Sequence, residues 1–220
     1  MLDRGGLTAP DGPTHHGTFD IAYMRIFPNM VVMTPGDAND IGAMLDFAMS
    51  QDSPCSLRYP KTEAAEITRD IQPVELGKAE VLNWGDDGII LCAGTQLEAC
   101  LEAAEELLKE GLEVGVVNAR FVKPLDREII RRAIQETGFV VTVEEGMLMG
   151  GYGSAVLEAA NEMQLNTTSI YRLGIPDTFV EHGTRPELLA EMKIDSAGIA
   201  ATCRQASVET KSKSANNQIV

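Results

Sequence analysis

Strands and helices alternate along this sequence, and that order predicts an α/β fold with a mostly parallel sheet. Runs such as 139–143, FVVTV, are almost entirely apolar, which is typical of strands buried on both faces of a parallel sheet. Apolar residues recur at helical spacing between several of these runs. The 220 residues are 44% hydrophobic and 23% charged, the balance expected of a globular fold of this class.

The first sixty residues predict a long loop followed by two helices and two short strands. Residues 3–17 are rich in Gly, Pro, Thr, Asp and His, which favours a loop. A helical pattern covers 20–27, and a buried strand is predicted at 30–33. Asp37 is a suitable N-cap for the next helix, and a last strand is predicted at 56–59. Because almost no strand precedes the loop, we expect an incomplete sheet here.

A linker, a second domain and a tail are predicted after the first domain at 1–60. Residues 61–76 show no clear period and carry mixed charge, so we interpret them as the linker. The second domain spans 77–208, with a hairpin-like turn at 85–87. The polar tail at 209–220 is predicted to be disordered. The predicted strands of the second domain are 78–84, 88–93, 113–121, 139–143 and 168–173. Its predicted helices are 96–110, 126–136, a stretch ending at 165, 185–193 and 196–208.

The charge of the chain excludes some classes of partner. A net charge of −15 repels phosphate backbones and anionic membranes, so we expect neither a nucleic-acid nor a membrane partner. No apolar run reaches the roughly 18 residues that a membrane span needs. The four cysteines show no CxxC spacing, and we interpret them as reduced thiols in a cytoplasmic protein.

Residues 11–17, DGPTHHG, are the part of the first loop that could carry chemistry. His15 can donate or accept a proton near neutral pH, and Asp11 could orient it or bind a substrate hydroxyl. Arg4 and Arg58 could hold a phosphate, since a guanidinium makes bidentate contacts. Taken alone, these residues also fit surface histidines, and Arg58 also fits a salt-bridge partner. We expect no metal site, because His15 and His16 have no accompanying ligand cluster.

Several longer strings resemble the transketolase superfamily, over nearly the whole chain to about residue 205. The resemblance is closest to the members that join pyruvate to D-glyceraldehyde 3-phosphate. The strings that carry it are DGPTHHGTFDIAYMRIFPNMVVMTPGD from residue 11, LRYP from 57, RFVKPLD from 120, TVEE from 142, GGYGS from 150 and GIPDTFVEHGT from 174. The resemblance implies that 1–60 is the later part of a pyrimidine-binding domain and that 77–208 is a transketolase C-terminal domain.

The same resemblance implies an activity and roles for the loop. Such enzymes release CO₂ from pyruvate with thiamine diphosphate and Mg²⁺, in isoprenoid and thiamine precursor synthesis. His15 would assist proton transfer, Asp11 would bind the acceptor substrate, and Arg4 and Arg58 would hold its phosphate. The Gly-Asp-Gly motif for diphosphate and metal is not found, and the Glu that activates the cofactor is expected upstream. We therefore expect this chain to be inactive alone and to work as a homodimer or with an N-terminal half.

Two alternatives remain open. The chain could be the β-type subunit of a two-chain 2-oxo-acid dehydrogenase, which shares similar VEEG and GGYGS strings but differs at the DGPTHHG loop. It could also be a transketolase-like dimerisation module without catalysis. In every case we expect an oligomer, or marginal stability in the first sixty residues. The remaining polar motifs are interpreted as structural, namely Glu144-Glu145, the glycines at 150–153 and His182.

Overall fold

A computed structural model describes the backbone of residues 1–217 and the side chains of residues 1–212. The eight strands of the described chain are β1 (Val31–Met33), β2 (Cys55–Leu57), β3 (Glu80–Asn83), β4 (Gly88–Ala93), β5 (Val114–Asn118), β6 (Phe121–Lys123), β7 (Phe139–Met147) and β8 (Ile170–Ile175). The seven α-helices in the same residues are α1 (Asp20–Met24), α2 (Ala38–Met49), α3 (Leu97–Lys109), α4 (Arg127–Glu136), α5 (Tyr152–Glu162), α6 (Arg185–Glu191) and α7 (Ser196–Asn217). None of the helices described is long and apolar enough to cross a membrane.

The larger sheet confirms the prediction of a mostly parallel α/β fold. Its strand order is β3-β5-β4-β7-β8, and only the β3–β5 pair is antiparallel. Every residue of β4 is buried, because helices cover both faces of the sheet. Ile90 packs in the cluster that contains α3 and α7 residues, whereas Ile89 packs with residues of α4 and α5. This alternation explains why β4 reads as a continuous apolar run.

The predicted hairpin at residues 85–87 is wrong. Strand β3 pairs with β5 and not with β4, which has β5 and β7 as parallel neighbours on its two sides. Because both edges of β4 are taken, β3 cannot pair with β4, and it joins the outer edge of β5 instead. Residues 85–87 instead lie beside the start of β5, where Asp87 accepts from the backbone N–H of Glu113 at 2.8 Å.

The predicted strand at 113–121 divides into two strands in two sheets. Arg120, between β5 and β6, has a positive φ of 55°, which turns the chain away from the larger sheet. Strand β6 then pairs antiparallel with β1, and β1 pairs parallel with β2. A strand from the second half of the chain therefore completes the small sheet of the first half.

Residues 61–79, all of them described, form no helix or strand, yet a buried charge cluster fixes them. Arg69 donates to Asp37 at 2.6 Å and to Glu80 at 3.0 Å, so it joins α2 to β3. Arg120 reaches Asp40 at 3.0 Å and Glu80 at 3.1 Å within the same cluster. All three carboxylates are buried, so the two halves are joined by charges that water does not screen.

The tail that the sequence predicts from residue 209 begins within helix α7 in the residues that the structure describes. Helix α7 continues to Asn217, while 218–220 lie outside the described residues. Tyr171 on β8 donates to Glu209 at 2.6 Å, which fastens the helix to the sheet at this point. The polar sequence of this segment did not indicate the contact. A few hydrogen bonds from its side chains can hold a helix, even where it lacks an apolar face.

Candidate functional site

The DGPTHHG segment lies in a closed loop at the end of the small sheet. Gly6 and Gly17 exchange two backbone hydrogen bonds, at 2.9 and 2.8 Å, which bring the two ends of the loop together. A short 3-10 turn at Ala9–Asp11 then starts the exposed part of the loop. Leu2 extends the small sheet through an isolated parallel bridge to Arg58. The loop therefore lies beside the C-terminal end of β2, where an open α/β sheet carries its functional groups.

Asp11 lies between two cations. Oδ2 of Asp11 accepts from Nη1 of Arg4 at 3.1 Å and from Nζ of Lys61 at 2.9 Å. The hydrogen bond from Lys61 is the main cause that lowers the pKa of Asp11, and the charges of Lys61, Arg4 and His15 lower it further. Asp11 therefore stays an ionised hydrogen-bond acceptor at neutral pH, with two positive groups beside it.

The two adjacent histidines have different environments. His15 is exposed, and its Nδ1 lies 3.1 Å from the hydroxyl of Thr14. His16 is buried, and its Nδ1 accepts from the backbone N–H of Thr8 at 2.9 Å. That bond requires an unprotonated Nδ1, so the proton of neutral His16 is on Nε2. His15 is thus available to a ligand, whereas His16 holds the loop together from inside.

Arg58 is buried and bound to groups of the protein. Its Nε donates to both oxygens of Asp20, and Nη2 donates to the backbone oxygens of Gly17 and Glu145, at 3.1 and 2.6 Å. The guanidinium therefore holds the end of the candidate loop against α1 and β7. The structure brings Arg4, Asp11 and His15 together at the surface, and it places Arg58 beneath them.

Lys61 is the residue of this cluster that the sequence analysis missed. It follows Arg58 by three residues and comes directly after Pro60, at the end of the second strand. A basic residue at a strand end beside the candidate loop was the available signal. A cavity of about 490 Å³ lies beside Lys61, with Asp3, Tyr59 and Thr95 in its lining. Asp11 and His15 do not line this cavity. Lys61 is therefore the residue that the cavity shares with the cluster around Asp11.

The end of β7 contributes two buried glutamates with different partners. Glu144 accepts from the backbone N–H groups of Tyr152 and Gly153, at 2.7 and 2.8 Å, at the start of α5. Burial raises the pKa of Glu144 to about 7, although these two hydrogen bonds oppose the shift. Glu145 instead forms an ion pair with Arg185 at 2.5 Å. In the part of the chain that the structure describes, no group of three His, Cys, Asp or Glu residues could hold a metal ion.

The fold and the site define a two-part α/β chain of the transketolase class. Residues 1–66 match the family model of the transketolase pyrimidine-binding domain, and residues 77–199 match that of the transketolase C-terminal domain. The second match covers more than half of the chain. The chain therefore belongs to the transketolase family, whose members are thiamine-diphosphate-dependent transferases.

Curated relatives of this chain are named 1-deoxy-D-xylulose-5-phosphate synthase. One from Rhodopirellula baltica is 51% identical over 97% of this chain and 33% of its own length. A second, from Geobacter sulfurreducens, is 48% identical over 91% of this chain and 32% of its own length. The chain thus spans about a third of the length of the curated relatives it matches.

Solved structures show the same fold. A protein described as a split-gene transketolase in an inactive β4 tetramer superposes with a TM-score of 0.81 and 32% identity. The match covers 89% of this chain and 63% of the other. A transketolase from Campylobacter jejuni superposes with a TM-score of 0.73 over 92% of this chain and 30% of its own. At 19% identity, that second likeness concerns the fold alone.

Proposed function

We propose that this chain forms the acceptor-substrate part of a 1-deoxy-D-xylulose-5-phosphate synthase, which condenses pyruvate with D-glyceraldehyde 3-phosphate and releases CO₂. The observation that carries this proposal is the cluster of Arg4, Asp11 and Lys61 beside the exposed His15. An aldehyde that carries a phosphate needs cations for the phosphate and a proton donor for its carbonyl oxygen. The cluster offers both. The product would serve isoprenoid and thiamine precursor synthesis.

Each residue of the cluster has a separate role in the proposal. When the new carbon–carbon bond forms, the aldehyde oxygen gains negative charge, and His15 donates a proton to it. Asp11 accepts a hydrogen bond from the substrate hydroxyl, because its lowered pKa keeps it ionised. Arg4 and Lys61 hold the phosphate, and so oppose the negative field of a chain with a net charge of −15.

Arg58 contributes to the proposed phosphate site in a different way. Its Nε and Nη2 are bound to Asp20, Gly17 and Glu145, so they fix the end of the loop. Nη1 has no hydrogen-bond partner among the described residues, and it is the donor that we assign to the phosphate. With only this one nitrogen free, Arg58 cannot make a two-pronged contact and is a weaker phosphate ligand than Arg4.

Thiamine diphosphate with Mg²⁺ supplies the electron sink for the reaction when it is bound. The candidate site presents two cations and one carboxylate, a set that suits a phosphorylated substrate better than a magnesium ion. We therefore propose that the diphosphate, the Mg²⁺ and the Glu that activates the cofactor are held by residues outside this chain. The chain matches about a third of the length of its curated relatives. This supports the proposal that other residues hold the cofactor, and that the chain alone is inactive.

We further propose that the chain works with a second polypeptide surface, either another copy or an N-terminal half. Residues 19–27 expose several large apolar side chains, among them Ile26, and Phe19 contacts Phe179 edge to face with ring centroids 6.1 Å apart. An exposed apolar patch of this kind marks an interaction site. The inactive β4 tetramer described for the split-gene transketolase favours this arrangement, and favours non-catalytic assembly as the second candidate function. The free thiols of Cys92, Cys100 and Cys203 support a cytoplasmic location for the assembly.

A chimera tests the proposed function directly. The 213 residues that match in the Rhodopirellula baltica relative would be replaced by those of this chain, and turnover would be measured with both substrates and cofactors. We expect the chimera to make the product and this chain alone to make none. A folded chimera without turnover would refute the proposed function, and turnover by this chain alone would refute its dependence on other residues.

Substitutions in the active chimera then test the site. His15→Ala is expected to lower kcat by at least about a hundredfold, because it removes the proton donor. Lys61→Met and Arg4→Met are expected to raise KM for the phosphorylated aldehyde without changing KM for pyruvate. Arg127→Met is the matched control, since Arg127 is also half-exposed and paired with one carboxylate, Glu162. Equal KM values for Lys61→Met and Arg127→Met would remove Lys61 from the site.

A further inference from the structure

Both carboxylate oxygens of Glu145, at the end of β7, accept two hydrogen bonds each, and the donors belong to three residues. Oε1 accepts from the backbone N–H of Leu7 at 2.6 Å and from Nη1 of Arg185 at 2.5 Å. Oε2 accepts from Nη2 of Arg185 at 2.6 Å and from Nε2 of Gln96 at 3.2 Å. Glu145 is 2% exposed, so this is a buried, bidentate ion pair with one backbone donor of the candidate loop attached.

Arg185 completes the contact with the same residue of the loop. Its Nη1 also donates to the backbone oxygen of Leu7 at 2.9 Å. Both backbone polar groups of Leu7 are thus taken by side chains more than 130 positions later in the chain. The side chain of Leu7 is fully buried in a cluster contributed otherwise by the second half, namely Met147, Ile175, Val180 and Leu188.

Two glycines show how closely the loop fits against the second half. Gly6 has a φ of +79°, and a methyl group on it would lie 2.4 Å from Oε1 of Glu145. Gly12 has a φ of +78°, and a methyl group on it would lie 2.3 Å from Nε2 of His182. The segment 182–185 therefore contacts the loop on both sides of the short turn that ends at Asp11.

We propose that Glu145 and Arg185 are positioning residues for the candidate loop, so that the second half of the chain sets where Asp11 and His15 stand. This assignment rests on the proposed function and adds a role for the second half in the reaction. A buried ion pair contributes little net stability, and its better attested use is to fix one arrangement of the chain. Here the fixed group is Leu7, four residues before Asp11. A displacement of about 1 Å at a reacting group can lower a rate about a hundredfold.

Hydrogen–deuterium exchange of this chain tests the positioning without any activity. Glu145→Gln and Arg185→Met are expected to raise the exchange of amides in residues 6–17, and to leave those of α3 and β4 unchanged. Arg185→Lys keeps the charge but loses the two-pronged contact, so an intermediate rise is expected. Exchange that stays unchanged in the loop, or that rises equally through the chain, would overturn the proposal.

Kinetics of the chimera test the consequence. Glu145→Gln is expected to lower kcat by about tenfold to a hundredfold, with a smaller change in KM. The conservative variant Arg185→Lys is expected to lower kcat by less than Glu145→Gln does. Ile130→Val, on the buried face of α4, is the control for lost stability, and Glu106→Gln at the surface is the control for lost charge. A kcat for Glu145→Gln equal to that of Ile130→Val, at a matched fall in Tm, would overturn the proposal. An unmutated chimera without turnover would refute the proposed function and leave the exchange result to decide the positioning.

Discussion

Nε of Arg58 donates to both carboxylate oxygens of Asp20, at 2.9 and 2.8 Å, and both side chains are buried. Asp20→Asn is therefore expected to lower the free energy of unfolding by about 3–5 kcal/mol, because it leaves a buried guanidinium without its counter-charge. Denaturant unfolding of the chain measures this. Glu158→Gln, which removes an exposed carboxylate from Arg25, is expected to cost under about 1 kcal/mol. Similar losses for the two variants would contradict the structural role of the Arg58–Asp20 pair.

Arg69 fastens the segment 61–79 through Asp37 and Glu80, although this segment has no helix or strand of its own. Arg69→Gln is expected to speed limited proteolysis within 61–79 by at least about tenfold, since cleavage follows the population of the locally open state. Mass spectrometry of the fragments would locate the cuts. Arg127→Gln is the control, because its partner Glu162 is exposed and it does not join the two halves. An unchanged cleavage rate in Arg69→Gln would show that other contacts hold the segment.

The sequence predicted those parts of the fold that depend on local pattern. β4 and the first part of β7, residues 139–143, were predictable because strands buried on both faces are mostly apolar, whereas the buried glutamates that continue β7 to Met147 gave no such signal. The pairing of β3 was not predictable from its neighbours, since it depends on which sheet edge remains open after β4 is enclosed. The turn at Arg120 also escaped prediction, because an arginine with positive φ is held there by Asp40, eighty positions earlier.

In the candidate site, too, the features that depend on local sequence were predictable and those that depend on distant contacts were not. Its composition predicted a loop around Asp11 and His15, since Gly and Pro mark turns and loops, and the resemblance to the transketolase superfamily implied the roles of its residues. The partner of Arg58 could not be read from the chain, because Asp20 is one of many acidic residues and lies 38 positions away. The contacts of Glu145 with Leu7 and Arg185 were missed for the same reason, as they join three distant segments.

Glu144 should give the stability of the chain a distinct pH dependence. Its pKa is raised to about 7 by burial, whereas the unfolded chain ionises near the ordinary value of 4.5. Between these values the folded state keeps a proton that the unfolded state has lost, so stability falls as the pH rises. From pH 5 to pH 8, the wild-type chain is expected to lose on the order of 3 kcal/mol relative to Glu144→Gln. Urea unfolding of both chains at the two pH values measures the difference, and parallel pH profiles would contradict it.

Gly12 and His182 offer a test of how the second half shapes the loop. Gly12 has φ 78° and ψ −174°, a region open to glycine alone, and a methyl group there would meet His182. Gly12→Ala is expected to lower the free energy of unfolding by about 1–3 kcal/mol from the backbone alone, with a further loss from the contact. The double variant with His182→Ala should recover only that further loss. Gly42→Ala is the matched control, since Gly42 lies within α2 with open space around it, and it should be neutral or stabilising. Strictly additive effects of Gly12→Ala and His182→Ala would show that the imidazole does not confine the loop at this point.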